Sequence, residues 1–196
     1  MPTRSGYMTW QVTQMVARAP AVVHEPVNAV SLGDVGRLVV INAGLAADDV
    51  ATIMDIDASS EFTAVPVSAR LEDCDPASEL YQASTALCEK YRLFRGSNIG
   101  PAKRSKLLHL KRPWLVPIAD SRTISVYRRR ADGWAARLGI AVGHWEAIRE
   151  DLIADTDDFE WLTMRLSEDQ RPEFKRLGRL TRLRLLDILA WTLGDG

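Results

Sequence analysis

Between Gly96 and Thr123 the chain reads GSNIGPAKRSKLLHLKRPWLVPIADSRT. One carboxylate, Asp120, stands behind an apolar run, with Lys103, Arg104 and Lys106 before it and Arg122 after it. Asn98, Ile99 and Gly100 have the chemistry of a tight turn, because glycine takes positive φ freely and asparagine tolerates it better than most residues. Pro101 then suits the first position of a helix. The first amides of such a helix have no intrahelical acceptor and point back into the turn. Those amides and the helix dipole suit a phosphate. Lys103, Arg104 and Lys106 add flexible positive charge that contacts backbone phosphate without reading sequence. An ordinary turn before a solvated surface helix has the same features, and that alternative stays open.

Asp120 has two candidate roles. Facing a cleft, its carboxylate would stabilise positive charge on a sugar as a glycosidic bond breaks, or orient a water. Burial behind Leu115, Val116, Pro117 and Ile118 would raise its pKa, whereas Arg122 and a helix N-terminus would lower it. The simpler role is to cap the helix that begins at Ser121, which stabilises by about 1 kcal/mol without chemistry. The cap is the preferred reading, with catalysis as an added role. Other groups give less. His24, His109 and His144 are scattered, and two cysteines, Cys74 and Cys88, are too few for a metal cluster or a disulfide framework. No cofactor or metal is expected. Trp114 and Tyr127 flank the Asp120 segment as core or rim residues that are also able to stack on a base. His109 is divided between phosphate contact and core packing.

The charge distribution gives the stretch its context. Net charge is −1, yet residues 81–130 carry twelve basic and two acidic side chains, while residues 1–80 carry four and eleven. A basic block in an acidic chain is an electrostatic footprint for an anionic partner. The competing explanation is that the blocks pair with each other inside one fold.

These residues need elements to hold them, and the periodicities are mostly helical. Leu80, Ser84, Leu87, Tyr91 and Phe94 follow three- and four-residue steps along one helix face. The next helix runs from Pro101 to about Leu110, and another starts after Asp120 with a break near Gly133. Residues 7–18 and 46–55 also have helical patterns. SLGDVGRLVVINAG is ambiguous between a buried strand and a helix. No G-x-G-x-x-G or G-K-[ST] accompanies it, so a nucleotide fold lacks support. IDASSEFTAVPVSARLEDCDP reads as loop with room for one short strand. GHWEAIREDLIADTDDFEWLTMRL is amphipathic. Pro172 opens a final helical stretch with Leu177, Leu180, Leu183, Leu186 and Leu189 every three residues, a stripe expected in the core. Length and composition fit one domain over residues 1–196. No apolar run reaches membrane-span length and the N-terminal residues lack a signal-peptide pattern, so a cytoplasmic protein is expected.

The segment IGPAKRSKLLHLKRPWLVPIADSRTISVY resembles the helix-hairpin-helix segment of DNA glycosylases of the endonuclease III superfamily. Asn98-Ile99-Gly100 stands for the hairpin turn, and Pro117-Ile118-Ala119-Asp120 for the approach to the catalytic carboxylate. The resemblance covers roughly residues 80–140. It implies a mainly α, DNA-glycosylase-like fold with a DNA cleft between two lobes and a target base extruded into a pocket. Asn98 replaces the first glycine of the turn. Ala102 stands where lyase-type members have a nucleophilic lysine, and Lys103 lies about 100° around the helix from it. A Schiff-base lyase is therefore disfavoured, and any enzymatic activity would be that of a monofunctional N-glycosylase. The whole chain also resembles an actinobacterial domain family of unknown function, through SKLLHLKRPWLVPIADS and LRLLDILAWTLG, and that resemblance transfers no activity.

Three functions emerge as expectations. The first is a DNA-binding protein with Asp120 as catalytic residue and Asn98, Ile99, Gly100, Lys103, Arg104, Lys106 and Arg122 as DNA contacts. The second is a noncatalytic nucleic-acid-binding module with the same contacts. The third is a protein-interaction module in which the leucine-rich C-terminal helix contacts a second copy.

Overall fold

The structure, a computed structural model, describes residues 26–40, 43–91, 99–128 and 143–194. The expected helix at 7–18, Asn98, Phe94 and the expected break near Gly133 lie outside the described residues. Helices follow one another in the order α1 (Leu32–Val40), α2 (Ala47–Asp55), α3 (Ser59–Ala64), α4 (Glu79–Lys90) and α5 (Pro101–Lys111). Then come α6 (121–128), α7 (Gly143–Ala154), α8 (Thr156–Glu168), α9 (Pro172–Leu177) and α10 (Arg182–Leu193). The described residues contain no strand, so the protein is mainly α. The possible strand between Ile56 and Pro76 is replaced by the short helix α3, which buries Phe62.

Leu32–Val40 of the ambiguous 31–44 segment is helical, and local chemistry explains why. Ser31 and Asp34 form a reciprocal cap: the Ser31 amide donates to the Asp34 carboxylate at 2.9 Å, and the Asp34 amide donates to Ser31 Oγ at 3.3 Å. Val35 and Leu38 then face inward, on one side of a helix. α1 packs on α5, α3 on α4, α8 on α9 and α10 on α7. Leu38, Phe62, Leu107, Leu115, Ile148 and Leu152 are among the side chains fully buried between them. Each such apolar side chain contributes about 1.5–3 kcal/mol through removal from water.

The final leucine stripe is not one continuous helix. α9 ends at Gly178, where an added Cβ would lie 2.6 Å from Ser167 Oγ and 3.0 Å from the Ser167 amide nitrogen, so the chain passes close to α8. α10 starts afresh at Thr181, whose hydroxyl accepts from the Arg184 amide at 3.0 Å and donates to the Pro113 carbonyl at 3.2 Å. Leu183, Leu185, Leu186 and Ile188 are buried, whereas Leu189 and Leu193 are exposed. The break re-phases the stripe, so three-residue spacing across it does not describe a single face.

Lys111 and Arg112 are cations among the described residues with no exposure at all. Lys111 has no exposed side-chain surface; its Nζ lies 2.6 Å from Asp34 and donates to the Pro26 carbonyl at 2.8 Å. Burial alone would raise the Asp34 carboxyl, but Lys111 and the amide and hydroxyl of Ser31 hold it below its ordinary range. Arg112, also fully buried, has no such carboxylate partner among the described residues. Its five N–H donors go to the carbonyls of Val27, Phe62, Val65 and Lys111 and to Asn28 Oδ1. The guanidinium also sits 5.1 Å from the centre of the Phe62 ring. It therefore ties residues 27–28, the end of α3 and the end of α5 to one point.

Candidate functional site

α5 begins as the sequence leads one to expect. Gly100 is the N-cap residue, Pro101 follows in the first turn, and that turn has no acidic side chain. Gly100 donates no capping side chain, and its carbonyl accepts from the Arg104 amide at 3.1 Å. Ile99 is buried, so it anchors the start of α5 in the core.

Lys103, Arg104 and Lys106 fan around the helix at about 100° per residue. Lys103 is turned toward α2: its Nζ lies 2.6 Å from Asp49, a buried carboxylate that also accepts from the Ala46 amide at 2.9 Å. Lys103, then the Ala46 amide, hold the Asp49 carboxyl below its usual range. Arg104 lies on the α4 side, within the electrostatic reach of Cys88. Lys106 is half-buried on the side of Asp120; burial lowers its pKa and the Asp120 charge opposes that shift.

A polar clamp joins this helix to the Asp120 segment. Ser105 Oγ accepts from the Ala119 amide at 3.0 Å and donates to the Ala102 carbonyl at 3.1 Å. One residue on, Asp120 caps α6: its Oδ1 accepts from the Thr123 amide at 3.0 Å, and its carbonyl accepts from the Ile124 amide at 2.9 Å. Asp120 is partly exposed. Arg122, in the first turn of α6, stacks over the Trp191 ring with 4.3 Å to its centre. A Cβ at Gly194 would collide with the Arg122 carbonyl, so the end of α10 presses directly on the start of α6.

Behind the Asp120 segment lies a pair that sequence reasoning missed. Asp187 Oδ2 accepts from the Ile118 amide at 3.2 Å and lies 3.9 Å from Arg184, while Asp187 Oδ1 is buried without a partner. Burial pushes the Asp187 carboxyl up to about 7, against the pull of Arg184 and the Ile118 amide. The signal was present in RLRLLDIL, where a cation and an acid three residues apart interrupt an apolar run. His109 is core, as one of its two readings had it. Its Nδ1 lies 2.7 Å from the Val116 carbonyl, and burial, with Arg184 nearby, holds it down at about 4. Cys74 and Cys88 are both buried free thiols, and burial pushes Cys88 up to about 12. Tyr127 is buried, and Trp114 is half-buried.

The structure thus brings Gly100, Ser105, Lys106 and Asp120 onto neighbouring parts of one clamped unit, with Arg122 beside the carboxylate in sequence. It sends Lys103 to α2. No helix of the described residues is long and apolar enough to cross a membrane. Neither a curated protein nor a solved structure matches the chain. A family model does match, over residues 28–194, and it spans α1 to α10: the chain belongs to a family of unknown function, DUF6308.

Proposed function

We propose that the protein binds DNA through the sugar–phosphate backbone, with a helix-hairpin-helix unit of the glycosylase type formed by α4, α5 and the residues that join them. The observation that carries this reading is the Ser105–Ala119 hydrogen bond, which fixes the start of a basic helix against the segment that presents Asp120. An uncapped helix start with no acidic residue in its first turn favours an anion. Arg104 and Lys106 follow within two turns, and Arg122 lies at the start of the next helix. These groups contact phosphate without selecting bases, so the binding is steeply salt-dependent and tolerant of sequence. A titration of duplex DNA across a salt series tests it. Arg104→Ala and Arg122→Ala each flatten the slope of log K against log salt by about one.

Binding without base excision is the second reading, and the cap at Asp120 favours it. Oδ1 of that carboxylate is engaged with the Thr123 amide, so a structural role accounts for the residue. Incubation with duplexes carrying damaged bases separates the two. Abasic sites that disappear with Asp120→Asn support excision, and their absence with the unaltered protein supports binding alone.

A further inference from the structure

A cavity of about 90 Å³ lies between the C-terminal half of α5 and the start of α10, lined by His109, Pro113, Trp114, Arg179, Leu180, Thr181 and Arg184. It has room for roughly three waters. The Arg184 side chain is 9% exposed, and Asp187 at 3.9 Å is the only group with which its guanidinium pairs among the described residues. That separation is too long for a hydrogen bond. No nitrogen of Arg184 is among the sealed, unpartnered side-chain atoms of the described residues, so the donors that Asp187 leaves over stay accessible to a ligand. Arg179, at the mouth, is exposed and adds a second guanidinium.

His109 supplies the opposite character. A carbonyl oxygen only accepts, so the contact with the Val116 carbonyl places the ring proton on Nδ1. The other nitrogen, Nε2, then holds a lone pair, and His109 lines the same cavity. The site therefore combines strong cationic donors with one neutral acceptor. Sulfate has oxygens for the donors but no proton for the acceptor. Hydrogen phosphate has both.

We propose that this cavity is a binding site for free hydrogen phosphate, with Arg184 and Arg179 donating to its charged oxygens and His109 Nε2 accepting from its P–OH. The volume fits one tetrahedral ion. This site is independent of the DNA reading, since it needs neither the turn at Gly100 nor Asp120.

Isothermal titration calorimetry and thermal unfolding of the full chain, with sodium phosphate and sodium sulfate at matched ionic strength, test it. Phosphate gives a saturable heat and raises Tm as a ligand of the folded state. Sulfate binds at least about tenfold more weakly, the loss expected for a buried acceptor left without its donor. Arg179→Ala, at an exposed position, leaves folding intact and weakens phosphate about tenfold through loss of a charge-assisted bond. Absence of a saturable phosphate signal overturns the proposal. So does sulfate binding equal to phosphate, or an Arg179→Ala variant with unchanged affinity. Tighter binding of ribose 5-phosphate than of phosphate overturns the assignment to the free ion.

Discussion

Lys111 and Arg112 close α5 inside the protein, while Arg104 and Lys106 sit partly exposed near its start. The residue types are the same and the sequence separation is less than three turns. Their environments differ completely. Arg112 spends all five donors on carbonyl and amide oxygens, and Lys111 neutralises Asp34. Lys103 belongs with the inner group, since it answers the buried Asp49. A block of basic residues is therefore two things at once. Part of it is the internal pairing of an acidic N-terminal region with a basic middle, and part of it reaches the surface, where a partner can meet it.

Removing the inner cations should show how much of the fold they hold. Arg112→Met takes a donor from four carbonyls and one amide oxygen in a buried site, of which the Phe62 carbonyl keeps the Val65 amide, and we expect a loss of about 4 kcal/mol, read by urea unfolding. An Arg112→Met protein as stable as the unaltered one would break the distinction at its strongest point. Lys111→Met takes the 2.6 Å cation from the buried Asp34 carboxylate, which keeps Arg37 at 3.2 Å and the amide and hydroxyl of Ser31, and should cost about 3 kcal/mol. Asp34→Asn in the same chain should recover part of that loss, because the under-compensated charge goes with it.

A second contrast sharpens the first. Asp34 meets its cation at 2.6 Å and is held low, whereas Asp187 meets Arg184 only at 3.9 Å and is pushed up to about 7. The ordinary carboxyl value is 3.8, so between that value and about 7 the folded protein keeps a proton on Asp187 that the unfolded chain has released. This stabilisation is complete below the unfolded value and is lost as pH rises through 7. His109 runs the other way: held at about 4 against an ordinary 6.5, it costs stability as pH falls between them. The stability of Asp187→Asn minus that of the unaltered protein should therefore rise with pH across roughly 4 to 7, at up to about 1.4 kcal/mol per unit. A flat difference would contradict the burial assigned to that carboxyl.

The smallest expected change is at Lys103. Its partner is buried but its own side chain is 21% exposed. Lys103→Ala should lower stability by about 1–3 kcal/mol, while leaving the salt slope of DNA binding close to that of the unaltered protein. A slope that falls by a full unit would move Lys103 to the outer group.

Much of this arrangement was legible in the sequence. Helical spacing located α2, α4 and α5, and the Asp-Ser-Arg-Thr run marked the cap at Asp120. The 31–44 segment was readable too, through Ser31 and Asp34, whose spacing is that of a capping pair. What sequence could not supply was long-range partnership. Lys111 and Asp34 lie 77 positions apart, and nothing local distinguishes Lys111 from Lys106. The apolar run from Trp114 to Ile118 signals its own burial, yet the acceptors that permit burial of Arg112 come from residues 27–28 and 62–65. The final leucine stripe misled for a related reason. Spacing by three continues across Gly178 and Thr181, but backbone contact with α8 ends one helix there and a new cap starts another.

The central claim is that the outer cations, and not the inner ones, meet phosphate. The direct measurement is the dependence of duplex-DNA affinity on salt for the unaltered protein and for Arg104→Ala/Lys106→Ala/Arg122→Ala. We predict a steep negative slope that becomes shallower by about three units in the triple variant, with its fold intact by circular dichroism. A salt-independent association, or a slope unchanged by the three substitutions, would contradict the account.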